Sequence, residues 1–431
     1  MGRAAIVAAF VAARRPRRDR AALERHQARL LRRQIRFLRA RSPRFADVPP
    51  DAGLADLPTM DKASMMAGFD DLVTVGVTRA EAEALALGNE RSRDFTGDLR
   101  GCSIGLSSGT TGHRGLFVVS PAERDAWAGT VLARTLPRRW LVGHRIALFL
   151  RADNTLYESV GSRAVTFSYF DLYAPPAQNR ARLAAFAPTI LVAPPSVLLP
   201  LAAAAASGDL RIAPAKVYAV AEVLTDADAA RIASGLGVAV VHQLYQCTEG
   251  FLGHTCERGV LHLNEDLALI EREYLDERRF VPIVTDLRRR AQPIVRYRLG
   301  DVLVERAEPC PCGSVLTALE RIEGREDDTL LLPGLDGTPT RVFADLVTRA
   351  LIHADGFTEY RVRQVGPDAL EVELDADAPA VRRGVQAELD RLWSRLRVRP
   401  PAVAFMPYRA AVGRKLRRVE RAWTGDTDAA L

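Results

Sequence analysis

A chain of 431 residues, 48% hydrophobic and 26% charged, is long enough for more than one packed core and carries no signature of disorder. Its formal charge is +7 at pH 7, but the basic residues are spread along the chain, which argues against a nucleic-acid partner. No apolar run reaches membrane-spanning length, and the basic run RRPRRDR follows the opening AAIVAAFVAA, where a signal peptide would carry it in front, so the expected location is the cytoplasm.

In chain order, ALERHQARLLRRQIRFLRAR places Leu23, Leu30, Leu31, Ile35 and Leu38 on one helical face with arginines opposite. That is an amphipathic helix with a solvated basic face, within a helical lead-in over residues 1–50. LADLPTMDKASMMAGFDDL reads as a loop and then a helix capped near Asp61. GCSIGL and GLFVVS are short strands on either side of SSGTTGHRG, Ser107 to Gly115. IALFL (146–150), TILVA (189–193), KVYAV (216–220) and VAVVHQL (238–244) then alternate with Ala/Leu/Arg-rich helical stretches. Such alternation predicts an α/β fold with a largely parallel sheet and a site at the strand ends. After RIEGREDDTLLLPG the pattern changes to helix (VFADLVTRALI), strands (YRVRQV, ALEVELD), helix (AVRRGVQAELDRLWSRL) and basic tail, a smaller βαβ-like unit.

A turn rich in glycine and hydroxyls can wrap a phosphate with converging backbone N–H groups. SSGTTGHRG lacks the Gly-Lys-Ser/Thr of a Walker loop and leads into a strand, so on its own a surface hairpin fits it equally well. Only three lysines occur, Lys62, Lys216 and Lys415, against 57 arginines, which marks each as a candidate for a compact point charge.

Further motifs separate the alternatives. YQCTEG (Tyr245 to Gly250), IVRYRLGD (Ile294 to Asp301), EGREDD (Glu323 to Asp328) and VGRKLRRV (Val412 to Val419) follow the loop in order. Together the five resemble the phosphate loop, aromatic-x-x-Thr-Glu, Tyr-x-x-Gly-Asp, Gly-Arg-x-Asp hinge and Gly-x-Lys motifs of the ANL superfamily of adenylate-forming enzymes. GVLHLNED, VTDLRRRAQPIVRYRLGD and CPCG are similar to its phenylacetate-CoA ligase-like branch, near the synthetases that adenylate a deazaflavin coenzyme. The resemblance implies a large N-terminal α/β domain (1–326) with mixed and parallel sheets, and a small, mobile C-terminal α+β domain (327–431). It places Ser107, Ser108, Gly109, Thr110, Thr111, Gly112, Arg114 and Arg325 on the phosphates of ATP. Ala221, Glu222, Tyr245 and Asp301 are placed at adenine and ribose, Ala221 where relatives have glycine. Thr248, Glu249 and Lys415 become catalytic, with Glu249 on Mg2+, and Asp327 the hinge. Without that context the Thr-Glu pair would read as a helix cap and Asp301 as a turn residue. His113 and Arg114 depart from the loop's usual ending, and Gln246 stands where glycine is more common.

The five cysteines are Cys102, Cys247, Cys256, Cys310 and Cys312. By itself the one-residue spacing of CPCG is tighter than a zinc knuckle. By resemblance, Cys256, His262, Cys310 and Cys312 would hold a structural Zn2+, with His254 the alternative imidazole; Cys102 and Cys247 read as packing residues.

The activity implied is MgATP-dependent activation of a carboxylic acid to acyl-AMP, with release of pyrophosphate. Transfer of the acyl group to CoA, a carrier-protein thiol or an amine would follow. Phe167, Tyr169, Phe170 and Tyr173 favour an aromatic acid. One alternative is AMP transfer to a cofactor hydroxyl, and another is a non-catalytic, zinc-bearing binding protein. The implied assembly is a monomer or homodimer without nucleic acid or membrane.

Overall fold

In the computed structural model, residues 2–15, 19–92, 94–107, 115–137, 141–150, 165–376, 378–409 and 416–423 are described. They divide into two compact units, Met1–Leu299 with Glu305–Arg321, and Gly300–Val304 with Ile322–Leu431. Among the described residues no helix is long and apolar enough to cross a membrane.

The large unit begins with helices α1 (Gly2–Arg14) and α2 (Arg20–Arg41). Strands β1 (Cys102–Leu106) and β2 (Leu116–Val119) form an antiparallel pair, and helix α3 (Pro121–Thr135) follows. Next come β3 (His144–Leu150), β4 (Val165–Asp171), α4 (Pro176–Phe186), β5 (Ile190–Ala193), α5 (Pro195–Ala206), β6 (Lys216–Val220), α6 (Asp226–Leu236) and β7 (Val241–Cys247). β4, β3, β5, β6 and β7 lie side by side in that order, all parallel. β5 and β6 are buried along their whole length, as strands covered on both faces must be. One apolar layer contains Phe149, Phe170, Leu191 and Ile232; the other contains Ile146, Leu148, Val192 and Tyr218. β8 (Gly250–Thr255) and β9 (Leu261–Leu263) extend the sheet antiparallel, and β10 (Ala268–Tyr274) pairs with β11 (Arg279–Asp286) as a hairpin.

α2 buries Leu23, Ile35 and Leu38, with Leu30 and Leu31 half-buried, but Gln27 and Gln34 are buried with them. Their amides donate to the carbonyls of Glu265 (2.8 Å) and Arg289 (2.6 Å). Arg20 also forks onto the Glu265 carboxylate at 2.8 Å through both terminal nitrogens. The helix is thus fastened at its polar as well as its apolar positions. α1 crosses α3 so closely that a Cβ at Gly129 would collide with the Ile6 carbonyl and lie 2.8 Å from the Ala9 Cβ.

In the small unit, α7 (Ala344–Ile352) precedes a hairpin of β12 (Tyr360–Gly366) and β13 (Ala369–Leu374). Helix α8 (Pro379–Leu396) then crosses to β14 (Ala402–Pro407), parallel to β13, and β15 (Val419–Arg421) lies parallel to β12. Trp393, Val362, Val372 and Leu389 form its core. Buried Gln364 works as a peptide substitute: its oxygen accepts from the Leu331 N–H (2.8 Å) and its nitrogen donates to the Leu331 carbonyl (2.6 Å).

Candidate active site and cysteine cluster

β6 and β7 are parallel neighbours with Val220 opposite Leu244, so the residues after Val220 and those after Leu244 emerge at the same sheet edge. Carboxyl ends of adjacent parallel strands are where ligand crevices open. The chain turns sharply after β6. Ala221 has φ +66°, and the Glu222 N–H donates to the Val220 carbonyl at 2.9 Å, a γ-turn of the strained hand. The Glu222 carboxylate accepts from the Ser196 N–H and hydroxyl, both at 3.0 Å, and so caps the N-terminus of α5. Ala221→Gly is expected to relieve the strain, stabilising the protein by about 1 kcal/mol and raising Tm by about 1–2 °C in calorimetry.

At the end of β7 the pairing with β8 slips between Tyr245 and Gln246, a bulge that redirects the residues after it. Tyr245 is buried, and a Cβ at Gly253 across the ladder would come within 3.2 Å of its own. Gln246 accepts a hydrogen bond from the Trp127 indole at 2.9 Å. In the following turn the Thr248 hydroxyl donates to the Glu249 carboxylate at 2.8 Å, and Glu249 is buried. The Thr248 carbonyl accepts from the Arg289 guanidinium. A hydroxyl beside a carboxylate is the hard oxygen donor set that Mg2+ prefers.

The neck of the hydroxyl-rich loop is closed by Ser107, whose N–H donates to the Gly115 carbonyl (2.7 Å) and whose Oγ accepts from the Gly115 N–H (2.8 Å). Ser108, Gly109, Thr110, Thr111, Gly112 and Arg114 lie outside the described residues. The aliphatic stem of Lys62 lies at the neck, where a Cβ at Gly115 would meet its Cγ at 3.7 Å. The N–H of Val118 in β2 donates to Gln292 Oε1 at 2.9 Å, and Gln292 Nε2 donates to the Leu116 carbonyl at 3.0 Å. Leaving those two buried backbone groups unpaired would cost about 1–3 kcal/mol each.

In the small unit Arg325 Nη1 lies 3.7 Å from Asp301 Oδ1, so the arginine expected at phosphate and the carboxylate expected at ribose are neighbours. Gly300 has φ +72°, and a Cβ there would stand 3.2 Å from the Arg325 guanidinium. Asp327 sits in the single turn Glu326–Asp328, next to Asp328, which is buried and ion-paired with Arg417. Lys415 lies outside the described residues.

A second constellation sits on the β8–β9 turn and the 310–316 loop. The donor atoms of Cys256, His262, Cys310 and Cys312 all lie within 4.8 Å of one another. Both loops are Cys-x-x-Gly turns: the Gly259 N–H donates to the Cys256 carbonyl (3.0 Å) and the Gly313 N–H to the Cys310 carbonyl (3.1 Å). The two glycines have φ +82° and +72°. Cys256 Sγ is 3.8 Å from Cys310 Sγ, and Cys312 Sγ is 3.4 Å from His262 Nε2. Tetrahedral Zn2+ with bonds of about 2.3 Å to sulfur separates its ligands by about 3.8 Å, so the donors fit the ion. His262 Nδ1 lies 3.0 Å from the Leu316 carbonyl, which orients Nε2 toward the thiols. Backbone N–H groups of Arg258 and Ser314 donate to Cys256 and Cys312 sulfurs, each at 3.4 Å. Burial, reinforced by the neighbouring thiols, pushes the Cys312 thiol up to about 11. His254 is outside this group: it is 2.7 Å from Asn264 Oδ1, and burial, with Arg134 nearby, holds its imidazole neutral, down to about 3. Cys102 is buried at the start of β1, and Cys247 Sγ donates to the Gly250 carbonyl at 3.6 Å.

No protein-family model matches the chain. A phenylacetate-coenzyme A ligase of Thermus thermophilus is 31% identical over 179 residues, 38% of this chain and 40% of that protein, so the match spans about two fifths of the relative. The solved structure of a 2-hydroxyisobutyryl-CoA ligase in the postadenylation state, with 2-HIB-AMP, superposes with a TM-score of 0.71 at 18% identity, covering 95% of this chain and 91% of that one. Amide bond synthetase McbA of Marinactinospora thermotolerans gives 0.57 at 15% identity, with 91% of each chain covered. The chain has the fold of these ligase and synthetase structures.

Within this fold, three positions carry geometry that the sequence motifs do not assign. Lys62 was marked only by rarity, and its place at the loop neck follows from the helix that Asp61 caps through the Ser64 N–H at 2.8 Å. Arg289 and Gln292 lie in DLRRRAQ, quoted above only for its resemblance, and both side chains are buried. Phe170 stacks on Phe149 with centroids 4.6 Å apart and belongs to the core, so it is not a pocket residue.

Proposed function

We propose that this chain activates a carboxylic acid with MgATP to form acyl-AMP and pyrophosphate, then passes the acyl group to a thiol such as CoA or to an amine. The observation that carries the reading is the convergence, at one edge of the parallel sheet, of the Ala221-Glu222 turn, Tyr245 and the Thr248-Glu249 turn. Mg2+ would neutralise phosphate charge there, with Glu249 and Thr248 as its oxygen ligands. Asp301, with two acceptor oxygens, suits the ribose hydroxyls, and its neighbour Arg325 suits a phosphate. Lys415 would place an ammonium between the attacking carboxylate and the α-phosphate, where two anions are forced together. Asp327 would be the pivot between a domain over 1–326 and the Lys415-bearing domain over 327–431. The matched ligase and the structures that share the fold act on acyl groups, which supports this reading.

We propose in addition that Cys256, His262, Cys310 and Cys312 hold a structural Zn2+. Free thiols at such spacing also favour a reducing compartment, in agreement with a cytoplasmic location.

The test is ATP–pyrophosphate exchange screened across carboxylic acids. Lys415→Ala should lower the acid-dependent rate by about a hundredfold or more with circular dichroism unchanged. Wild-type rates in that variant, or exchange that needs no acid, would overturn the reading.

A further inference from the structure

The segment Asp286–Gln292 is held at nearly every backbone group. The Asp286 carboxylate accepts from the N–H groups of Arg288 (2.7 Å) and Arg289 (2.9 Å). Glu123 accepts from the N–H groups of Arg290 and Ala291, the latter at 2.9 Å. Gln34 donates to the Arg289 carbonyl and Thr74 Oγ1 to the Arg290 carbonyl at 2.8 Å. Such a platform fixes the directions of its side chains.

Two of those side chains reach the β2 strand and the Thr248-Glu249 turn. In the β1–β2 pair, Ser103 faces Val119 and Gly105 faces Phe117; on the other edge of β2, the Val118 N–H and the Leu116 carbonyl pair with Gln292. The Gln292 amide therefore stands in for a further strand along the stem of the hydroxyl-rich loop. Its Oε1 also accepts from Arg289 Nη2 at 3.2 Å, while Arg289 Nη1 donates to the Thr248 carbonyl. Both residues are buried, and no carboxylate is within ion-pair distance of the Arg289 guanidinium among the described residues. An arginine spent on a carbonyl and an amide is placed for its two-pronged geometry.

We propose that Gln292 and Arg289 are positioning residues that lock the outgoing stem of the phosphate loop to the Thr248-Glu249 turn, setting the spacing at which the two segments grip MgATP. The proposal rests on the adenylation reading. A second tie supports it: Ser120, the residue after β2, caps α3 in a reciprocal pair with Glu123, and Glu123 holds the same platform. The proposal assigns both ties to the grip on the nucleotide, so ATP and acid should respond differently.

The test uses the full chain. Kd for MgATP is measured by titration calorimetry, and KM for MgATP and for the acid by pyrophosphate exchange. Gln292→Met keeps length and apolar packing but removes the hydrogen bonds to Val118, Leu116 and Arg289; it should weaken MgATP about tenfold or more, the scale of one lost charge-assisted hydrogen bond, with the acid KM within about twofold. Arg289→Lys keeps the charge, loses the two-pronged contact and should show the same split; it decides the matter if Gln292→Met does not fold. Gln292→Glu keeps an acceptor for Val118 and Arg289 but sets a carboxylate against the Leu116 carbonyl, so it should recover only part of the affinity. Unchanged MgATP binding in folded variants, or equal rises for both substrates, would overturn the proposal. MgATP binding with this pattern but without acid-dependent exchange would sink the adenylation reading alone, and a wild-type chain that binds no MgATP would sink both.

Discussion

Glu249→Gln should reduce acid-dependent pyrophosphate exchange by about 10²–10³-fold while leaving the fold intact. The change keeps the side chain's volume and an oxygen able to accept from the Thr248 hydroxyl, so the β7–β8 turn retains its internal bond. What it removes is the negative charge. A hard divalent cation is held by one or two carboxylates and the substrate's phosphates, and an amide oxygen is a much weaker ligand. The loss should therefore be partly reversed by raising Mg2+, a response that mere misfolding would not show. Exchange within tenfold of wild type at low Mg2+ would remove Glu249 from the metal. The neighbouring Thr248→Val should have a smaller effect, since the hydroxyl contributes one neutral donor.

The second large effect is expected at the cysteine cluster. Protein purified under reducing conditions should carry close to one equivalent of zinc per chain. Cys256→Ser or Cys312→Ser should each reduce that content severalfold and lower Tm by about 5–10 °C, because metal binding to a site formed only on folding is itself folding free energy. The metal competes with protons for the sulfurs, and burial raises the Cys312 thiol, so zinc should be released as the pH falls. Wild-type protein holding under about a tenth of an equivalent would end the assignment. His254→Asn should leave the metal in place, since that imidazole is occupied with Asn264.

The parallel heart of the sheet was legible because strands buried on both faces must be continuous apolar runs, and KVYAV forms β6 over its own five residues. TILVA and VAVVHQL were found with their ends displaced by one to three residues, since the periodic signal fades where the ladder begins. The glutamines were not legible. Gln27, Gln34, Gln292 and Gln364 carry no local signal of burial, but each is buried against backbone of a segment distant in the chain. Nothing local announces such a partner. The strained turn at Ala221 was visible only as an alanine where relatives have glycine; the positive φ that gives this meaning is a property of the folded strand end. The pairing of two Cys-x-x-Gly turns is present in CERG and CPCG, but only the folded chain brings the two turns together.

The missing Cβ at Gly129 has a consequence for how this chain comes off the ribosome. α1 seats against α3 with backbone almost touching side chain, and no larger residue fits the crossing. Yet α1 is synthesised roughly a hundred residues before its seat. At about 5–20 residues per second it waits on the order of 5–20 s as an apolar, alanine-rich segment with nothing to cover it. The crossing that seats the first helix can therefore close only after Gly129 has been made.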